Sequence, residues 1–427
     1  MTASQSEIIT ENDYGVAPIR VTRPRSLSDP NDLIEQNCLV DPGNHGPDHF
    51  KTKMSKWRFS IRELLVPFTD TQSAYLMRWQ TRFRNPGTDI LFAYTALLGS
   101  HTFYVLCLPL PAWVGFFETT RDMVYIFGYS IYLSGYLKDF LCLPRPKSPP
   151  MHRITLSSYT AKEYGAPSSH TANAIGVTLY FLFVIWFQIS NDQTLTQKIV
   201  YSSIALIYAF ILSMGRLYCG MHGVLDLVIG VLVGVLCFAV RMALKSYFRL
   251  FNSGKYWWYP ILSIGWGLSL LLFHVRPIDE CPCFDDSVAF VGVICGIECC
   301  DWFIKYFGLT MVYSFTSASA RVLLARLLIG FPLLVIWKYI VGKPLCYWFV
   351  LKVLRMRDDR GERLSRLSKE LRKRESQSEC LLFCGVSTID IVARFFIYGG
   401  IPMAVMLLSP APIGWIGEKL GIQPINN

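Results

Sequence analysis

Long apolar runs, separated by short polar clusters, fill most of this chain. The runs lie at roughly 90–115, 122–137, 171–189, 199–214, 223–243, 257–273, 287–309, 322–350 and 391–414. Each approaches the ~20 residues that a membrane helix needs, which predicts eight or nine spans. The fold class expected is therefore all-α, a polytopic transmembrane helix bundle. Glycines recur within the runs, as in "GVLDLVIGVLVG" and "GVICGIE", where they allow helices to approach closely. Residues 1–88 form a polar to mixed arm, 89–245 carry the polar clusters, and 246–350 hold additional helices. A charged loop at 351–390 and a final helix with a short tail at 391–427 complete the division. Within the arm, "SKWRFSIRELLVPF" mixes Lys and Arg with Trp, Phe and Leu. That suits a helix lying in the membrane interface or an amphipathic helix packed on the domain.

Composition strengthens the membrane assignment. Of 427 residues, 52% are hydrophobic and 17% charged, against about 25% charged in a typical soluble domain. The opening "MTASQSEIITENDYGVAPIR" has no apolar core, so insertion is expected to rely on the first internal span. A formal charge of +10 comes from basic residues in loops between apolar runs. This favours anionic lipid headgroups and a phosphate-bearing substrate over nucleic acid. Cys107, Cys237, Cys295, Cys299, Cys300 and Cys346 fall inside apolar runs and read as small hydrophobes. No cysteine spacing resembles a zinc site. "RSLSDP" at 25–30 fits the R-S-x-S-x-P pattern that 14-3-3 proteins read once the second serine, Ser28, is phosphorylated.

Three polar clusters interrupt the apolar chain. "YLKDFLCLPRPKSPP" (136–150) places Lys138 at the end of a span and Arg145 before Pro146, in a loop held extended by prolines. "PSSH" supplies Ser168, Ser169 and His170 where a helix begins. "GRLYCGMHGVLD" (215–226) contains Arg216, His222 and Asp226. His and Asp at i and i+4 share a helix face, so the carboxylate can fix the imidazole tautomer and leave the other nitrogen nucleophilic. Three cations suit the spread charge of a phosphoryl group in transfer. By span parity all three clusters lie on one membrane face.

These motifs resemble the type 2 phosphatidic acid phosphatase superfamily, whose pattern is K-x6-R-P, P-S-G-H and S-R-x5-H-x3-D. Here the chain reads K-x6-R-P, P-S-S-H and G-R-x5-H-x3-D, differing at two positions. "RPKSPP", the non-glycine third residue of "PSSH" and "RLYCGMHGVLD" are similar to the sphingosine-1-phosphate phosphatase branch. Nearly the whole chain resembles the yeast dihydrosphingosine-1-phosphate phosphatases. The resemblance implies a six-helix phosphatase core and assigns roles to its residues. His222 is the nucleophile that forms a phosphohistidine, Asp226 orients it, and His170 protonates the leaving alkoxide. Lys138, Arg145, Ser168, Ser169 and Arg216 hold the phosphate. No metal and no cofactor is implied, and the substrate is a phosphorylated sphingoid base. An endoplasmic reticulum location with a lumenal site is implied as well.

Two other functions remain open on the residues alone: a phosphotransferase that passes the phosphoryl group to another lipid, and a phosphate-binding transporter. Arg241, Lys245, Arg249 and Lys255 read as an acid-free basic loop, which puts 241–255 in the cytosol and the site opposite. Four further features lack a firm assignment. His45 and His49 form a candidate metal pair. His152 and Arg153 suit either headgroup contact or interfacial anchoring. Lys138, taken alone, could snorkel, and Glu298 and Asp301 read as polar contacts inside the bundle.

Overall fold

The computed structural model describes residues 41–148, 150–156, 163–188, 193–279, 281–309, 320–358 and 388–410. Ser28, most of the charged 351–390 stretch and the tail after 410 lie outside them. Helices and their connections account for the described chain, and no strand occurs among the described residues.

Short helices come first: α1 (Pro47–Lys51), α2 (Lys56–Asp70), α3 (Gln72–Phe83), α4 (Pro86–Thr95), α5 (His101–Cys107) and α6 (Pro109–Val114). Long ones follow: α7 (Phe117–Leu141), α8 (Ser169–Phe183, extended by a π-turn to Gln188), α9 (Leu195–Tyr218) and α10 (Val224–Phe251). The remainder are α11 (Tyr259–Leu272), α12 (Cys283–Tyr306), α13 (Ala320–Val335), α14 (Gly342–Trp348) and α15 (Thr388–Met403). Among the described residues, six segments are long and apolar enough to cross a membrane: 169–188, 195–218, 224–251, 283–306, 323–353 and 388–408. The expected first span is instead a pair of apolar segments, Pro86–Gly99 and Phe103–Val114, bent by 58°. The expected sixth span is the shorter apolar helix α11. The chain is a membrane protein built as an all-α bundle.

The helices beyond the three polar clusters are not peripheral. α12 is buried along most of its length and packs against α7, α11 and α15. Its glycines meet α15 backbone to backbone: a Cβ on Gly296 would lie 2.0 Å from the Gly399 carbonyl oxygen. The α8–α10 pair is equally close, since a Cβ on Gly234 would lie 2.4 Å from the Ala172 carbonyl oxygen. The glycine-rich runs therefore do what small residues do at helix crossings. The six cysteines within apolar runs are free thiols, buried or half-buried.

One expectation is corrected. Residues 241–251 are not a loop but the last turns of α10, and their cations have acidic partners. Arg241 bonds Asp122 at 2.8 and 2.9 Å, Lys245 pairs with Asp122, and Arg249 bonds Glu118 at 3.0 Å. The region is therefore helical and charge-paired rather than an unpaired basic loop.

Candidate active site

Four helix ends converge on one site. α7 ends with Lys138 in its last turn, α8 begins just after Ser168, α9 ends with Arg216, and α10 begins with Asp226 in its first turn. The segments 142–148 and 163–168 are laced into this junction by backbone bonds, Gly165 N–H to Leu143 C=O at 2.8 Å and Ser168 N–H to Asp226 C=O at 2.9 Å. The tight 219–222 turn folds back on α9, with the N–H groups of Met221 and His222 donating to the Arg216 carbonyl.

His222 is buried in that turn, one residue ahead of the N-cap of α10. It does not share a helix face with Asp226, as the i, i+4 spacing suggested. Its Nδ1 lies 2.9 Å from the Gly165 carbonyl oxygen and 3.4 Å from Asp226 Oδ2. A carbonyl can only accept, so Nδ1 carries the proton and Nε2 keeps its lone pair. Asp226 Oδ2 accepts from the Gly223 N–H at 2.8 Å, capping its own helix, and its Oδ1 has no partner among the described residues. Thus a backbone carbonyl, supported by Asp226, sets the tautomer. Burial, and then the charges of Arg145, Arg216 and Lys138, hold the His222 imidazole well below its ordinary pKa. It is neutral in the resting protein.

Nε2 of His222 faces Arg145, whose Nη1 is 3.4 Å away. Arg145 is fixed by the Glu163 carbonyl at 2.6 Å and by the Met221 carbonyl. Burial pushes its guanidinium down to about 10, against the opposing pull of Glu163. Lys138 does not snorkel: it is buried and ion-paired with Glu163. Arg216 is also buried, and its Nε has no partner among the described residues.

Ser168 Oγ caps α8, taking the Thr171 N–H at 3.4 Å and the Thr171 hydroxyl at 3.1 Å. Ser169 is the first residue of that helix and lines a cavity. Its φ is not among the positive values of the chain, so a side chain is tolerated where the superfamily pattern has glycine. His170, one position on, places Nε2 3.2 Å from the Ala96 carbonyl oxygen. The cavity measures about 780 Å³ and is lined by Ser169, His170, Asn173, Arg216, Glu163 and Asp286 among others. A second, almost wholly apolar cavity of about 510 Å³ shares Phe103 and Tyr104 with it and runs between α5, α8 and α9. A charged head can thus sit beside Arg216 and His170 while an apolar tail continues into the bundle.

Glu163 is the residue that motif reasoning missed. It lies five residues before Ser168, buried between Lys138 and Arg145, with its Oε2 3.6 Å from Arg145 Nη2. Burial works against its charge, but Lys138 and Arg145 outweigh it and keep the carboxyl below its ordinary pKa. Its signal was an acid beside "PSSH", inside a set otherwise chosen for cations.

Two groups of described residues bring three metal-capable atoms within 4.8 Å: His45, His49 and Asp279, and Asp139, Cys281 and Cys283. In the first, Asp279 already accepts from the Gly43 N–H at 2.9 Å and contacts His49 Nε2 at 2.7 Å. In the second, Cys281 and Cys283 are joined as a disulfide. Neither group lines the cavity. Arg153 makes a two-pronged ion pair with Asp41 at 3.0 and 2.8 Å, an anchoring contact. His152 is exposed, and its backbone is gripped by Gln80.

Residues 120–250 match the family model described as "PAP2 superfamily". Dihydrosphingosine 1-phosphate phosphatase YSR3 of Saccharomyces cerevisiae is 49% identical over 89% of this chain and 93% of its own length. Dihydrosphingosine 1-phosphate phosphatase C823.11 of Schizosaccharomyces pombe is 38% identical over 66% and 68%. Lipid phosphate phosphatase delta of Arabidopsis thaliana is 29% identical over 69% and 72%. With these similarities spanning the motifs and most of the helices around them, the chain belongs to the PAP2 superfamily, in its sphingosine-1-phosphate phosphatase branch.

Proposed function

We propose that this protein hydrolyses the phosphate monoester of long-chain bases such as dihydrosphingosine 1-phosphate, releasing the free base and inorganic phosphate. The observation that carries the reading is the neutral His222, proton on Nδ1, with its Nε2 lone pair facing a buried set of cations. In this reading Nε2 attacks phosphorus, the P–O bond to the lipid breaks, and His170 protonates the departing alkoxide. Water then attacks the phosphohistidine, giving a proton to His170, and phosphate leaves. Lys138, Arg145 and Arg216 bind the phosphoryl oxygens, with the positive end of α8 at Ser168 and Ser169 beside them. Asp226 supports the charge that develops on His222.

In this reading the protein acts in the endoplasmic reticulum membrane with its site lumenal, an expectation that the family resemblance supports. Labelling of thiols introduced at 147 and 156 in sealed vesicles checks that orientation. The reaction is tested with His222→Ala. Phosphate release from dihydrosphingosine 1-phosphate should fall by on the order of 10³ or more, with the protein still membrane-inserted. Unchanged release would leave a phosphate-binding transporter as the better reading. Label appearing on an added acceptor lipid rather than in free phosphate would indicate a phosphotransferase.

A further inference from the structure

In the resting structure an internal carboxylate occupies the place a substrate phosphate must take. Glu163 is ion-paired with Lys138 and lies 3.6 Å from Arg145 Nη2, and it lines the cavity beside Arg216 and His170. Lys138, Arg145 and His222 are not among the cavity's lining residues. A phosphate that enters from this cavity competes with Glu163 for Lys138 and Arg145. The displaced carboxylate would then be buried without a counter-charge, which is costly unless the ligand brings one.

A long-chain base phosphate brings one. It is a zwitterion, with an ammonium on the carbon next to the one bearing the phosphate ester. We propose that Glu163 is the specificity-determining residue of this site: substrate phosphate takes over Lys138 and Arg145, and the substrate ammonium takes over Glu163. The inference rests on the phosphatase reading above and adds a basis for choosing among lipid phosphates. A glycerolipid phosphate or a simple alkyl phosphate has no cation to offer, so it strands the carboxylate and is disfavoured. Discrimination thus comes from a buried group left unpaired by the wrong ligand.

The test uses the full-length protein in detergent micelles with two substrates, dihydrosphingosine 1-phosphate and octadecyl phosphate, which lacks the ammonium. In Glu163→Gln the ratio of kcat/KM values, amine-bearing over amine-free, should fall at least about tenfold. The change should come from both sides, a loss on the first substrate and a gain on the second, because the competing anion is gone. Glu163→Asp, which keeps the charge, should retain part of the preference. A ratio within about twofold of wild type overturns the proposal. So does an equal loss on both substrates in both variants, which is the mark of a purely structural role. A ratio that moves in Asp286→Asn and not in Glu163→Gln overturns it as well, assigning the ammonium to the other cavity acid. Wild-type protein inactive on both substrates would instead overturn the phosphatase reading, and this inference with it.

Discussion

Gly99 lies where the ring of His170 leaves no room for a side chain: a Cβ there would fall 2.2 Å from Cδ2 of the imidazole. The same ring is held by the Ala96 carbonyl, three residues earlier. Gly99→Ala must therefore push His170 away from its carbonyl partner. Displacements of about 1 Å at a reacting group cost on the order of 10² in rate, and a loss of that size in kcat/KM is expected. Gly265→Ala, where a Cβ meets nothing within 4 Å, is the control and should stay within about twofold. Lys138, Arg145, Arg216, His170 and His222 were legible in the sequence because polar residues stand out in apolar surroundings and their spacing repeats a known pattern. The Gly165 carbonyl that sets the His222 tautomer was not, since every residue has a carbonyl and only the fold aims this one. Glu163 was overlooked for a different reason. An acid in a phosphate site runs against simple charge matching, and its role emerges only when Lys138 is seen ion-paired with it.

At the scale of elements, α2 answers a question that periodicity left open between an interfacial helix and one packed on the domain. It presents Arg58 and Arg62 inward beside Phe59, Leu65 and Val66, and leaves other large apolar residues outward. Trp57, Leu64 and Phe68 are 62%, 70% and 61% exposed, whereas Arg58 and Arg62 are buried. Arg58 donates to the carbonyls of Asp139 at 2.5 Å and Phe140 at 2.6 Å, and Arg62 to that of Cys142 at 3.3 Å. These are the orphan carbonyls at the end of α7, where cations are favoured. The outward face suits lipid headgroups and the inward face fixes the helix end that carries Lys138, so one segment satisfies both readings. Hydrophobicity patterns could not show this, because the buried face carries two arginines. Replacing both arginines with alanine leaves those carbonyls unsatisfied. Since hydrogen bonds to charged groups contribute about 1.5–3 kcal/mol each, a clear fall in the thermal midpoint in detergent is expected. kcat/KM should fall as well, because Lys138 loses its support. An unchanged midpoint would show that α2 merely rests on the bundle.

Across the whole molecule, charge gathers at two poles of one helix. Asp226 stands at the start of α10 and Arg241 near its end, separated by roughly 22 Å at about 1.5 Å per residue. The first pole is the active site. The second ties α10 to α7 and α12 through Asp122 with Arg241 and Lys245, and through Arg121 with Asp301. Asp301 also accepts from Asn252 at 3.2 Å, and Glu298 bonds Tyr125 at 2.8 Å and Ser263. Glu298 and Asp301, recognisable in sequence only as polar residues in an apolar run, are thus contacts inside the bundle. Partners this far apart along the chain, several of them by more than a hundred residues, carry no local signal. This pole lies far from the site, and its ion pairs fasten the helices to one another. Asp122→Ala would leave Arg241 and Lys245 without their main counter-charge, and breaking one side of a buried ion pair costs about 3–5 kcal/mol. The expected result is a large drop in the thermal midpoint, read by unfolding in detergent. kcat measured well below that midpoint should stay near wild type, because the four helix ends at the other pole keep their own contacts. A variant with normal stability and lost turnover would instead show that the two poles are coupled through α10.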